Sequence, residues 1–153
     1  MRRLYRTLLD QFSGLHGEVL KALDELPAEA LDWKPGPDMN SLAVLIVHLT
    51  GAERYWIGDV VKGDPSFRDR EAEFKVKSMD AAALRKRVAD LDQYEASAFE
   101  TFRLSDLNQV RSSPRDGKQV TVGWAILHSL QHSAEHVGHI GILKQQWKQR
   151  KGG

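Results

Sequence analysis

The sequence predicts an all-α fold, a single four-helix bundle spanning residues 1–153. Three observations predict it. Four stretches carry apolar residues at spacings of three and four, the mark of amphipathic helices. No segment shows the sustained period-two alternation of a sheet. The connections between the four stretches are rich in Pro, Gly and charged residues, as loops are. Their length allows a long crossover connection in place of plain up-and-down order.

The first helix is expected over roughly residues 2–26, where Leu4, Leu8, Phe12, Leu15, Val19, Leu23 and Leu26 recur at helical spacing. "PAEALDWKPGPDMN" then reads as a loop, with Trp33 placed to close one end of the bundle. Ser41 is the expected N-cap of helix two, because its hydroxyl can accept from an orphan first-turn amide. The first half of that helix, "SLAVLIVHLTGA", is apolar on nearly every side, which predicts deep burial. "KGDPSF" ends it, and an irregular charged connection follows. Ser78 or Asp80 caps the third helix, whose buried stripe is Leu84, Val88, Leu91, Tyr94, Ala98 and Phe102. "SSPRDGKQ" reads as a turn or short hairpin. The last helix runs from about Val122 to Lys148, with Trp124, Leu127, Leu130, Ile140, Leu143 and Trp147 as its apolar positions.

The charge balance is nearly even, with a net charge of +1, so the basic stripe of a nucleic-acid binder is missing. No apolar run approaches the ~20 residues that cross a bilayer. The N-terminal segment lacks the continuous apolar stretch of a signal peptide. A cytoplasmic protein without nucleic-acid or membrane partners is expected. The chain has no cysteine, so any transition metal must be held by His, Asp or Glu.

Four of the six histidines lie in "HSLQHSAEHVGH", at His128, His132, His136 and His139. At ~100° per residue they fall within about 80° of one another, on one helix face. That row is ~16 Å long, so a single ion cannot take all four. Its continuation into Leu143 and Trp147 predicts that it faces inward. His128/His132 and His132/His136 are both i, i+4 pairs able to share an ion. His48, in the most apolar stretch of the chain, needs a partner there. His48 plus one such pair makes a three-nitrogen site with an open position, the pattern of catalytic zinc centres. The competing reading is a bundle with packed, hydrogen-bonded histidines. His16, beside Gly17, carries no expected role.

Other motifs are discounted. "HSAEH" matches H-x-x-E-H, but the chain after His136 is too short for the further acidic ligand of the inverted zinc peptidases. The Glu-x-x-His repeats of di-iron bundles are missing, since Glu53 is followed at +3 by Trp56 and Glu135 by Gly138.

"ALDWKPGPDMNSLAVLIVHLTGAERYW" and "LHSLQHSAEHVGHIGIL" together resemble the DinB-like superfamily of four-helix-bundle metalloproteins. That superfamily includes bacillithiol-transferase-like and mycothiol-dependent maleylpyruvate isomerase-like proteins. Carried over residue by residue, the resemblance puts its metal triad on His48, His132 and His136. It implies a divalent metal, commonly zinc or nickel, and often a homodimer. For some members it implies thiol-cofactor-dependent transfer or isomerisation of a small-molecule substrate. His128, one turn early, leaves a rival pair with His132. A metal-dependent S-transferase, isomerase or hydrolase is therefore one expectation, its low-molecular-weight thiol or water nucleophile activated at the metal. Glu53, Tyr55, Trp56 and His139 are its candidate pocket residues. The alternative is a non-catalytic, stress-related bundle that binds a metal or small ligand.

Overall fold

The computed structural model describes residues 3–150. Four long helices form the bundle: α1 (Arg3–Glu25), α2 (Leu42–Arg54), α4 (Ala81–Thr101) and α5 (Val122–Gln149). A single helical turn, α3 (Arg70–Glu73), lies in the connection between α2 and α4. A two-stranded antiparallel hairpin, β1 (Val110–Ser112) and β2 (Gln119–Thr121), leads into α5.

Three of the four long helices start where a side chain satisfies an orphan amide. Ser41 Oγ accepts from the Val44 amide at 3.2 Å, Asp80 Oδ1 from Ala83 at 2.7 Å and Thr121 Oγ1 from Trp124 at 3.1 Å. Of the two expected caps for the third long helix, Asp80 is the one used. Ser78 instead has φ +58° and donates its amide to Asp32. Helix α2 continues into a π-helical stretch, Tyr55–Lys62, which Gly63 ends at φ +67°.

The packing order is not up-and-down. α1 and α2 each pack extensively on both α4 and α5, so α1 faces α2 across the bundle diagonal. α4 and α5 face each other across the other diagonal, so the third connection, residues 102–121, crosses a bundle end, as the sequence allowed, and so does the first, residues 26–41. Trp33 sits in that crossing and packs edge-on against Trp147, with ring centroids 5.5 Å apart.

The core is split into two apolar halves. One gathers Tyr5, Phe12, Ile57, Phe99 and Ile126; the other gathers Val19, Leu42, Ile46, Leu84 and Leu143. Between them lies a polar layer containing His16, Glu53, Glu95 and Ser133, all fully buried. Two expected apolar contacts of the last helix are corrected: Trp124 and Leu127 are exposed. The buried face of α5 runs instead through Ala125, Ile126, Ser129, Ser133 and Ile140. The sequence stripe was centred on large residues, whereas small ones allow the close approach that defines the interface.

Candidate metal centre

His48 sits on the all-buried first half of α2, and His132 and His136 sit one turn apart on α5. Because α2 packs on α5, the three rings meet. His132 Nε2 lies 3.2 Å from His48 Nε2 and 3.1 Å from His136 Nε2. Two nitrogens bound to one tetrahedral zinc at ~2.0–2.1 Å stand about 3.3 Å apart. The observed spacings match that value.

Ring protonation makes the convergence informative. His48 Nδ1 is 2.9 Å from Glu73 Oε2, and Arg68 grips the same carboxylate through Nε at 2.5 Å and Nη2 at 2.9 Å. Burial alone would raise the Glu73 pKa, but its hydrogen bonds to Arg68 and His48 hold it below the usual value. An ionised carboxylate only accepts, so His48 carries its proton on Nδ1 and turns a lone pair from Nε2 toward the site. His136 Nδ1 lies 3.4 Å from His139 Nδ1, a contact that fits His136 donating there and likewise presenting an Nε2 lone pair. His132 Nε2 carries at most one proton and cannot bond well to both neighbours. A cation satisfies all three nitrogens. Burial first, and then its histidine neighbours, lower the His132 pKa to about 3; burial and His48 lower His136 to about 4. Both rings are thereby held neutral near pH 7, the form that ligates.

The four-histidine row divides. His128 stacks flat on Trp124, with centroids 4.5 Å apart and planes 8° apart, and meets Trp56 edge-on. Its ring centre is 6.5 Å from that of His132, and it is not in the triad. The His128 ring of the rival pair lies against Trp56 and Trp124 instead. His139 stays at the exposed edge beside His136. Of the other expected pocket residues, Tyr55 bonds Ser113 and Glu53 points into the polar layer toward His16. Trp56 reaches the row only at His128. Glu135 is exposed and accepts from Gln131.

Three supports went unread in the sequence. Glu73 and Arg68 lie in the charged connection taken as irregular. Gly51 lets Glu73 approach α2, since a Cβ there would stand 2.2 Å from Glu73 Oε1. A glycine inside an apolar helix was the available signal. Beside this support lies a cavity of about 530 Å³, bordered by Thr50, Arg54, Arg68, Glu73, Arg87 and Tyr94.

The family model for mycothiol-S-transferase matches residues 7–149, nearly the whole chain. The chain belongs to that family. With it, membership of the DinB-like superfamily is shown. Among curated proteins, the chain is 29% identical over 124 residues to YkkA of Bacillus subtilis (strain 168), an uncharacterized protein; the match covers 72% of this chain and 68% of YkkA. Three solved structures share the fold at low identity. A conserved protein from Enterococcus faecalis has a TM-score of 0.79 at 12% identity, covering 95% of this chain and 98% of its own. A DinB-like protein from Bacillus cereus has a TM-score of 0.75 at 16% identity, covering 95% and 94%. YfiT from Bacillus subtilis has a TM-score of 0.76 at 13% identity, covering 97% and 90%; it is described as a probable metal-dependent hydrolase with an unusual four-helix bundle topology. At such identities the likeness shows the fold. In this chain the diagonal order is what brings α2 against α5 and His48 against the His132/His136 pair.

Proposed function

We propose that His48, His132 and His136 hold a divalent metal ion, zinc or nickel, and that the protein is a metal-dependent transferase acting with a low-molecular-weight thiol. The observation that carries this reading is the meeting of three Nε2 atoms around one point, with two of them presented as lone pairs by Glu73 and His139. Neutral imidazoles suit zinc and nickel. When bound, such an ion lowers the pKa of a coordinated thiol or water and polarises an electrophile.

The protein's own residues supply the rest. Glu73, fixed by the Arg68 fork, orients His48. His139 contacts His136 Nδ1 and orients that ring at the exposed edge. Because the chain has no cysteine, the thiol must arrive as a cosubstrate. Family membership supports mycothiol or a thiol like it in that role.

The test has two stages. Protein purified without a histidine tag is analysed for metal, and His132→Ala is compared with His128→Ala. The triad reading expects the first variant to lose the ion and the second to keep it. Metal-loaded protein is then assayed for loss of free thiol against a panel of electrophiles. Turnover abolished by His132→Ala supports the transferase; full loading without turnover supports a metal-binding module instead.

A further inference from the structure

The cavity of about 530 Å³ lies between α2, α4 and the connection that carries α3. That volume is the size of a small-molecule pocket. None of the three triad histidines lines it. Glu73 stands between cavity and triad: its Oε2 meets His48 Nδ1, while its Oε1 comes close to Gly51 in the cavity wall. Val47, Leu91 and the Tyr94 ring give that wall an apolar part.

Six charged groups border the cavity, and five of them have partners. Glu73 is held by Arg68 and His48, which also matches Arg68. Arg54 pairs with Asp59 and Asp64, and Asp90 with Lys86. Asp69 accepts from the Ala72 amide at the start of α3. Arg87 is the sixth. Its Nε donates to Thr50 Oγ1 at 3.3 Å, and among the described residues neither Nη atom meets an acceptor. The side chain is half-buried, and burial lowers its pKa more strongly than the Glu73 and Asp90 charges raise it.

We propose that this cavity binds a small organic monocarboxylate, its head taken by the Arg87 fork and its apolar body laid against Val47, Leu91 and the Tyr94 ring. The charge balance selects the class. One unmatched cation offsets one negative charge. A phosphate dianion would bring a second charge beside Glu73, Asp69 and Asp90, with no further free cation to meet it. The donors select the head group, because a guanidinium meets a carboxylate through two parallel hydrogen bonds. An uncharged ligand would displace water from Arg87 and leave its donors unmet, which is costly. The site stands independently of the metal centre, since no ligand of that centre touches it.

Benzoate and octanoate are titrated into the full chain by calorimetry, before and after chelation of bound metal. Benzyl alcohol and octanol are the uncharged controls, and inorganic phosphate is the ionic one. Saturable binding of at least one acid is expected, with or without metal. The matching alcohol, and phosphate, should bind about 10–100-fold more weakly, the worth of a hydrogen bond to a charged group. Arg87→Gln should lose the same factor, and Arg87→Lys, which keeps the charge but not the fork, should fall between. The proposal is overturned if neither acid saturates by about 10 mM. It is overturned equally if the alcohol or phosphate binds as tightly as the acid, or if Arg87→Gln binds like wild type. Binding abolished by chelation also overturns it, because the carboxylate would then sit on the histidine-held ion. Should Arg87→Gln not fold by circular dichroism, Ala72→Phe fills the cavity from an exposed position on α3. That variant should lose the acid, and unchanged affinity there counts against the site.

Discussion

At the scale of single residues, the triad depends on side chains that never touch an ion. Glu73 sets the His48 tautomer, and Arg68 sets Glu73. Glu73→Gln keeps the shape but can turn an amide N–H toward His48 Nδ1. A drop of about 10–100-fold in metal affinity is expected, measured by competition with a chromophoric chelator. Gly51→Ala forces Glu73 back, because the new Cβ overlaps its carboxylate. Overpacking of this kind costs about 1–3 kcal/mol, read from urea unfolding, and should weaken metal binding in the same variant. A variant with wild-type affinity would show that Glu73 is not needed at its present position. These residues were hard to read in advance. His48 stood out as a histidine in an apolar run, but Glu73 and Arg68 were two charges among many in a connection without periodicity.

At the scale of elements, most boundaries follow local chemistry. Ser41, Asp80 and Thr121 cap three of the four long helices, and Ser41 was legible from its position before an apolar run. Thr121→Ala removes the acceptor for the Trp124 amide. It should lower stability by about 1 kcal/mol, seen as a lower melting temperature with little change in metal content. The sequence carries helix two as far as "KGDPSF", and the structure keeps that length but winds Tyr55–Lys62 as a π-helix. Its residues also suit an α-helix, and packing decides between the two. Gly58 lies inside this stretch, where a Cβ would collide with the Arg54 guanidinium that stacks 3.9 Å over the Tyr94 ring. The hairpin was legible from its turn, "SSPRDGKQ", while its three-residue strands carry too little alternation to fix their limits.

At the scale of the whole molecule, the diagonal placement of α1 and α2 shapes both the candidate metal centre and the polar layer. It sets α2 against α5 for the triad and lets His16 reach Glu53 across the bundle centre. His16 packs beneath two carboxylates. Burial alone would lower its pKa, but hydrogen bonds to Asp92 and Glu53 outweigh this and raise it to about 9. His16→Leu leaves Asp92 and one buried oxygen of Glu53 without their imidazole partner. A loss of about 3–5 kcal/mol is expected from denaturant unfolding. A change below about 1 kcal/mol would mean the layer is not a coupled network. Chelation of a metal-loaded sample should lower the melting temperature, and re-addition of zinc should restore it, because an ion bound only to the folded state stabilises that state. No described helix is long and apolar enough to cross a membrane.

The sequence by itself determined the helices, their approximate limits and the short list of ligands. Helical periodicity and spacing are local properties, readable along one chain. His132 and His136 share a face whatever the fold around them, and His48 is costly in an apolar run whatever its neighbours. Only the tertiary structure decided which pair meets His48, because that depends on where Trp56 and Trp124 place the His128 ring. It alone decided that His16 is central, since its partners lie 37 and 76 positions away. Contacts of that range depend on the order of helices around the bundle, and local periodicity carries no record of it.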